Sequence, residues 1–135
     1  MDASVTVEAQ WCMGHRLPNH EGLCYNLHGH QYRAEVTVQG EINDEKGSPS
    51  EGMVVDFTDV KAALRSAVSL LDHRTLIYAR DPLVDAMILL PGVNIVSYVP
   101  TAENIARRLL EELAPFNVIR VRLWETPTSF AEVWR

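Results

Sequence analysis

The 135-residue sequence lacks the features that mark several large classes of protein. It has only two cysteines, Cys12 and Cys24, which are too few for the disulfide framework of a small secreted domain. It has no apolar run of about 18 residues and no basic, apolar leader, so we expect a cytoplasmic protein without membrane contact. Its net charge of −6 argues against a nucleic-acid-binding surface.

Further absences narrow the fold and the chemistry. No internal repeat or low-complexity tract divides the chain, and its length is typical of one domain, so we expect residues 1–135 to form a single domain. The sequence contains no glycine-rich dinucleotide motif, and we therefore expect neither a nicotinamide nor a flavin cofactor. The informative features are polar residues that continue apolar patterns.

Three histidines continue the alternating patterns of two predicted strands. Over about residues 28–39 every second residue is mostly apolar, and His28 and His30 begin that series. Over about residues 3–15 a similar alternation ends at His15. If these strands pair antiparallel, the three imidazoles converge, which is the ligand set of a catalytic zinc site with an open fourth position. Any one histidine alone is more simply a surface or core residue, but the convergence of three favours a metal.

A thiol and a carboxylate–imidazole pair are candidates for proton transfer. Cys24 shortly precedes His28, and a thiol near a metal-bound substrate can act as a thiolate. Asp72 can fix the tautomer of His73 and stabilise its cation, which gives an acid or base near neutral pH. The simpler alternatives are a histidine favoured by a helix dipole and, for the thiol, an ordinary loop residue or a fourth ligand in a closed zinc site. Taken together with the histidines, the catalytic interpretation is favoured.

In a third predicted strand, Glu125 occupies the last position of the series in which every second residue is apolar. His15 occupies the same place in the first predicted strand. A carboxylate in such a place is costly unless it is paired. A flat heterocycle with adjacent N–H donors would satisfy it, and so would a basic side chain such as Arg74. Spacing alone leaves both open. Cys12 has the parity opposite to His15 and is expected to be a packing residue.

The remaining elements are predicted from periodicity and caps. Apolar residues recur at helical spacing over residues 57–71 and again over residues 101–113, and a shorter helix is predicted from Pro82 to about Leu89. A last strand is predicted over about residues 128–134. The order of two strands, helices and two strands predicts an α+β sheet with helices on one face.

Six short motifs, in order along nearly the whole chain, resemble the 6-pyruvoyl-tetrahydropterin synthase / 6-carboxy-tetrahydropterin synthase family. They lie at residues 11–17 (ending His-Arg-Leu), 24–30 (ending His-Gly-His), 52–57, 71–73, 100–104 and 124–126. Each would be weak alone, but six in register are specific. The resemblance implies the tunnelling fold, which is a four-stranded antiparallel sheet with two long helices on one face, here with a short extra helix.

The resemblance also implies an assembly and residue roles. Family members join their sheets into barrels, so we expect a homo-oligomer, with a hexamer favoured and active sites at subunit interfaces. The ligands of Zn2+ would be His15, His28 and His30. The catalytic residues would be Cys24, Asp72 and His73. The substrate-binding residues would be Glu125, which would anchor a pterin ring, and Glu103, for which a helix-dipole role is the alternative.

The spacing between Cys24 and His28 resembles one branch of this family. Three residues separate them, as in the bacterial 6-carboxy-5,6,7,8-tetrahydropterin synthases of queuosine and 7-deazaguanine biosynthesis, whereas the pyruvoyl-forming enzymes typically have a longer gap. The implied reaction converts the pterin triphosphate 7,8-dihydroneopterin triphosphate to 6-carboxy-tetrahydropterin, acetaldehyde and triphosphate. The alternatives are a 6-pyruvoyl-tetrahydropterin synthase and, more remotely, a catalytically silent zinc- or pterin-binding assembly protein.

The chain departs from the family pattern in two places. The residues before the first histidine, 11–14, are bulkier than the usual phenylalanine and small residues and are expected to reshape the pocket wall. After Asp-His the family commonly has Leu-Asn at the third and fourth positions, where this chain has Leu76 and Ile77. Candidates for neutralising the triphosphate are Arg16, Arg33, Arg74 and His20.

Overall fold

Two long antiparallel strands form the centre of the sheet in this computed structural model, which describes residues 1–135. β1 (Asp2–His15) and β2 (His28–Glu41) pair along their whole length, from Asp2 opposite Glu41 to His15 opposite His28. The alternation of apolar residues selects this register, because it places the apolar side chains of both strands on one face. The predicted convergence of the two strand ends is confirmed.

Four further strands extend the sheet on both sides. β3 (Arg74–Tyr78) pairs parallel with the last three residues of β1, and β4 (Val93–Val96) pairs parallel with β3. β5 (Val118–Thr126) pairs antiparallel with β2, and β6 (Ser129–Trp134) pairs antiparallel with β5. The strand order across the sheet is therefore β4-β3-β1-β2-β5-β6.

The predicted count of four strands is corrected to six. The four predicted antiparallel strands are present, and the two additional strands, β3 and β4, come from the segment that follows His73. They contain only five and four residues, and apolar runs of that length show no clear periodicity. Pairing of Leu76 with His15 places this addition directly beside the converging histidines.

Two long helices cover one face of the sheet, as predicted. α1 (Phe57–Ser69) begins at Asp56, whose carboxylate accepts a hydrogen bond from the Thr58 N–H. α3 (Ala102–Glu112) begins at Thr101, whose hydroxyl caps the Asn104 N–H. Their apolar faces and the odd-numbered side chains of β1 share one buried core with β2 and β5. No helix in the structure combines the length and apolar character needed to span a bilayer.

The short helix is smaller than predicted. α2 (Val84–Met87) has four residues in place of the predicted stretch from Pro82 to about Leu89. The Asp81 carboxylate accepts a hydrogen bond from the Leu83 N–H and so forms a turn before the helix begins. As a result Asp81 lies buried beside the ends of β1 and β3, where it has a second partner described below.

Candidate metal and catalytic site

His15, His28 and His30 bring their imidazoles together on the helix-covered face of the sheet. His15 and His28 are direct cross-strand partners, and His30 follows two residues later on the same face. One ring nitrogen from each lies within 4.8 Å of those of the other two. His15 is fully buried, while the other two are partly exposed. This cluster could hold a metal ion.

Two backbone carbonyls fix the tautomers of His15 and His28. The Nδ1 atom of His15 is 2.7 Å from the Pro100 oxygen, and that of His28 is 2.6 Å from the Asn26 oxygen. A carbonyl oxygen only accepts, so each Nδ1 donates its N–H and each neutral ring carries a lone pair on Nε2. These two Nε2 atoms are 2.9 Å apart. Two lone pairs at that distance repel unless a cation or a proton lies between them.

The Nε2 atom of His30 has no hydrogen-bond partner, although it is buried. A buried polar atom without a partner is costly and is uncommon in folded proteins. It lies 3.8 Å from Oε1 of Glu125, which adds a negative charge to the cluster. The three imidazoles therefore fit a bound cation better than they fit three separately satisfied histidines.

Burial favours the protonation state that binds metal. Burial lowers the pKa of His15, and nearby His28 lowers it further, against the opposing effects of the Pro100 carbonyl and Glu125. Burial likewise lowers the pKa of His30. Metal ions bind the neutral imidazole, so these two ligand candidates are ready to bind near neutral pH.

Tyr32 connects the histidines to Glu125. Its side chain is fully buried, and its hydroxyl lies 3.4 Å from Oε1 of Glu125 and 3.3 Å from Nδ1 of His15. Because His15 donates its Nδ1 hydrogen to Pro100, the hydroxyl is free to donate to the carboxylate. Burial, together with the charge of Glu125, raises the pKa of Tyr32 and keeps its hydroxyl protonated.

Glu125 has no lysine or arginine partner, so the suggested pairing with Arg74 is not formed. Its contacts are with Tyr32, with Nε2 of His15 at 3.5 Å and with Nε2 of His30 at 3.8 Å, and about a quarter of its side chain is exposed. It opens onto a cavity of about 380 Å³, to which His30 and Trp124 also contribute. A space of this size, with a carboxylate at its wall, can accommodate a heterocycle.

Cys24 lies in a single turn of 3₁₀ helix, Leu23–Tyr25, between β1 and β2. The turn is attached to the chain two residues after His15, at the end of β1 where the histidines converge. The Cys24 carbonyl accepts a hydrogen bond of 3.0 Å from the Leu17 N–H. The structure thus brings the thiol, the histidines and the carboxylate to one end of the sheet.

Asp72 and His73 form a pair elsewhere on the chain. The Asp72 carboxylate is 2.8 Å from Nδ1 of His73, and both residues are held by the backbone of Cys12 at the edge of β1. The His73 side chain is 81% exposed, and its backbone has a φ of 60°, which is unusual for a residue other than glycine. No hydrogen bond or ion pair joins this pair to the three histidines. The predicted site residues therefore do not all come together within a single chain.

Other predicted residues are placed differently from the expectation. Cys12 is exposed, because its side chain points to the face opposite the helices, so its prediction as a packing residue is wrong. Glu103 is exposed in the first turn of α3 and makes no hydrogen bond or ion pair, as a dipole role alone would allow.

The candidate triphosphate ligands lie in three different environments. Arg16 is buried and bound to Asp81, so its prediction as a triphosphate ligand is wrong. Arg33 pairs with two glutamates and lies over the Trp124 ring. Arg74 and His20 are exposed, and Arg74 makes no ion pair.

Sequence reasoning missed two groups that contact His15. Tyr32 carries a usable signal, because it continues the parity of His28 and His30 along β2. The Pro100 carbonyl carries none, since every residue has a carbonyl and only the packing of α3 against the sheet shows which one is in reach.

Comparison with known proteins places this arrangement in a family. Residues 4–135 match the family model described as 6-pyruvoyl tetrahydropterin synthase. The chain belongs to the 6-pyruvoyl tetrahydropterin synthase family. The resemblance seen in the six motifs is confirmed, and the family is one of lyase-type enzymes.

Relatives are found among both curated sequences and solved structures. The chain is 36% identical to the 6-carboxy-5,6,7,8-tetrahydropterin synthase of Haemophilus influenzae over 138 residues, which covers 95% of this chain and 96% of the relative. It is 37% identical to the enzyme of the same name from Aquifex aeolicus over 129 residues, with 81% and 74% covered.

Solved structures confirm the fold. An uncharacterized protein from Wolinella succinogenes matches with a TM-score of 0.82 and 26% identity, covering 100% of this chain and 99% of that one. The 6-pyruvoyl tetrahydropterin synthase of Caenorhabditis elegans matches with a TM-score of 0.74 and 24% identity, covering 100% and 96%. The α+β tunnelling fold is thus established, with the strand count corrected above.

Removal of one ligand candidate is expected to abolish tight metal binding without unfolding the chain. We expect one zinc ion per wild-type chain, and His30→Gln should weaken zinc binding by more than the roughly 10- to 100-fold loss that follows removal of a ligand's hydrogen-bond partner. Metal analysis after equilibration with buffered zinc measures this, with the exposed His20→Gln as control. Circular dichroism should show that chelated wild type stays folded, because its core is independent of the metal. Equal zinc content in both variants would contradict the site.

The metal-free protein is expected to lose stability as the pH falls below the ordinary histidine pKa of about 6.5. The lowered pKa values of His15 and His30 mean that the unfolded chain takes up protons there before the folded chain does, so acid favours unfolding. Above that pH the contribution is constant. Urea unfolding between pH 8 and 5 measures it, and His30→Gln should show a shallower dependence. Equal slopes in the two proteins would exclude this cause.

Proposed function

We propose that this chain is a zinc-dependent 6-carboxy-5,6,7,8-tetrahydropterin synthase. It would convert 7,8-dihydroneopterin triphosphate to 6-carboxy-tetrahydropterin, acetaldehyde and triphosphate, within 7-deazaguanine (queuosine-type) biosynthesis. The observation that carries the proposal is the group of three converging imidazoles with unsatisfied nitrogens beside a carboxylate-walled cavity. Relatives of that name at 36–37% identity support the branch.

The zinc ligands would be His15, His28 and His30. Three neutral imidazoles that leave the fourth position open are the donor set of catalytic rather than structural zinc. When bound, zinc would act as a Lewis acid that binds the side-chain oxygens of the substrate and makes neighbouring groups more acidic. The Pro100 and Asn26 carbonyls would hold His15 and His28 in the tautomer that this requires.

Glu125 would orient the pterin. Its carboxylate borders the cavity and has no cationic partner, so it can accept two adjacent N–H groups of the ring in a bidentate contact. Tyr32 donates to one of its oxygens and so restricts the direction of the carboxylate. Because this end of the sheet also carries the histidines, a ring held there would direct its side chain toward the metal.

Cys24 and His73 would move the protons. Cys24 would take a proton from a side-chain carbon of the substrate, and His73, oriented by Asp72, would exchange protons with the oxygens. These transfers shift electrons from the side chain to the pterin ring and allow loss of triphosphate and retro-aldol-type cleavage. One water is consumed, because the carboxylate product needs a second oxygen.

We propose that Asp72 and His73 act in the site of a neighbouring subunit of a homo-oligomer, with a hexamer favoured. Within one chain they do not contact the histidines, yet two hydrogen bonds to the Cys12 backbone hold them in a defined place. The 81% exposure of His73 leaves it accessible to a partner. Arg74 is the next residue, is exposed and has no ion pair, and could meet the triphosphate there.

The reaction is tested by identifying its product. Zinc-loaded wild type incubated with dihydroneopterin triphosphate should yield 6-carboxy-tetrahydropterin and acetaldehyde by mass spectrometry. Cys24→Ala should lower the rate by about 10²- to 10⁴-fold, as expected for loss of a general acid–base group, while Cys12→Ala provides the matched control. A 6-pyruvoyl product would favour the alternative that the family model names. Unchanged substrate from folded, zinc-loaded protein would contradict both and leave a silent zinc- or pterin-binding protein.

A further inference from the structure

The most deeply buried ion pair in the chain, Arg16–Asp81, plays no part in the proposed chemistry. Arg16 is 3% exposed and Asp81 is 2% exposed. The guanidinium donates from Nε to Oδ2 at 2.8 Å and from Nη2 to Oδ1 at 3.0 Å. Burial alone raises the pKa of Asp81, but the hydrogen bonds from Arg16 and from the Leu83 N–H lower it overall, so the pair stays charged.

Stability alone is a poor explanation for such a pair. Removing two charges from water is costly, and replacing a buried ion pair by apolar residues of similar volume is often neutral or stabilising. Unlike an apolar pair, a hydrogen-bonded ion pair fixes the orientation of its two side chains. The third hydrogen bond of Arg16 shows which segment that fixed orientation holds.

Arg16 connects the strand that carries His15 to the turn that carries Cys24. Its Nη1 donates to the Tyr25 oxygen at 3.0 Å, and its guanidinium carbon lies 4.4 Å from the centre of the Tyr25 ring. The next residue, Leu17, donates its N–H to the Cys24 oxygen at 3.0 Å. Two consecutive residues after a proposed zinc ligand thus bind two consecutive carbonyls of the thiol turn.

The turn has little else to fix it. Leu23 is 86% exposed and Tyr25 is 47% exposed, so apolar burial contributes little to its position. Its own backbone hydrogen bonds close the local turn but do not attach it to the sheet. The Asn26 carbonyl contacts His28 at one end, and Arg16 and Leu17 supply the attachment at Tyr25 and Cys24 themselves.

Asp81 binds the guanidinium through Nε and Nη2 and belongs to the connection between β3 and α2. It follows β3, which pairs with the end of β1, and its carboxylate is fixed by the Leu83 N–H at 2.8 Å. The arginine therefore spans from the β3–α2 connection, past the end of β1, to the thiol turn.

We propose that Arg16 and Asp81 are positioning residues that hold the Cys24 turn in register with the three histidines. Neither touches substrate, and the inference rests on the proposed function for the role of the thiol. A shift of about 1 Å in a reacting group can cost on the order of 10²-fold in rate. Loss of the pair should therefore lower kcat while the zinc ligands, which lie on β1 and β2, remain in place.

The decisive variant is the double replacement Arg16→Met with Asp81→Leu. It removes both buried charges and roughly preserves volume, so the chain is expected to remain folded, but nothing then binds the Tyr25 carbonyl. We expect unchanged zinc content, faster amide hydrogen exchange in the peptide over residues 18–27, a fall in kcat of about 10- to 100-fold, and a KM within about threefold. Arg108→Lys, which alters the exposed pair with Glu112, is the matched control and should change none of these.

A merely structural pair gives a different result. If the double variant keeps wild-type kcat, whether or not its stability in urea changes, the proposal is overturned, and wild-type exchange in the turn also overturns it. Should the double variant not fold, Arg16→Lys carries the same comparison, because a lysine keeps the charge but cannot bind Asp81 twice and Tyr25 as well. Exchange needs no substrate, so a wild type without turnover would sink the proposed function while exchange still decides whether the pair orders the turn.

Discussion

The register between β1 and β2 is the constraint on which the rest of the site depends. It sets His15 directly opposite His28 and places His30 on the same face. A slip of one residue would carry these side chains to the opposite face of the sheet, and it is resisted because the whole apolar series of both strands would move with them. The same strand pairing that builds the core therefore also assembles the candidate metal site. The positions of the three histidines do not depend on the conformation of a loop.

Fixed hydrogen bonds then give the cluster its chemical character. The Pro100 and Asn26 carbonyls leave two Nε2 lone pairs 2.9 Å apart, and burial lowers the pKa of His15 and His30. Such a group of neutral donors is unfavourable when empty and favourable around a cation, in the way that functional sites often store local strain. The carboxylate of Glu125 adds charge to this centre and borders the cavity where a substrate would lie.

The parts that could be predicted from sequence are those set by strand parity and helical period. His15, His28, His30 and Glu125 meet because alternation decides the face, and Tyr32 could have been included on the same ground. The strands β3 and β4 could not be predicted, since runs of five and four residues carry too little pattern. The buried Arg16–Asp81 pair could not be predicted either. Its two residues are 65 apart in sequence, and both lie in irregular segments just beyond the ends of strands, which only the folded sheet brings together. Nor does periodicity reveal that Asp72 and His73 bind the backbone of Cys12 and lie apart from the histidines within one chain.

X-ray absorption at the zinc edge of the zinc-loaded protein would show whether three imidazoles hold a catalytic metal and leave the thiol free. We expect nitrogen or oxygen neighbours only, at about 2.0–2.1 Å, with imidazole scattering from three histidines. We expect the same spectrum for Cys24→Ala. A sulfur neighbour at about 2.3 Å that disappears in Cys24→Ala would show a closed zinc site and would contradict the catalytic role of both the metal and the thiol.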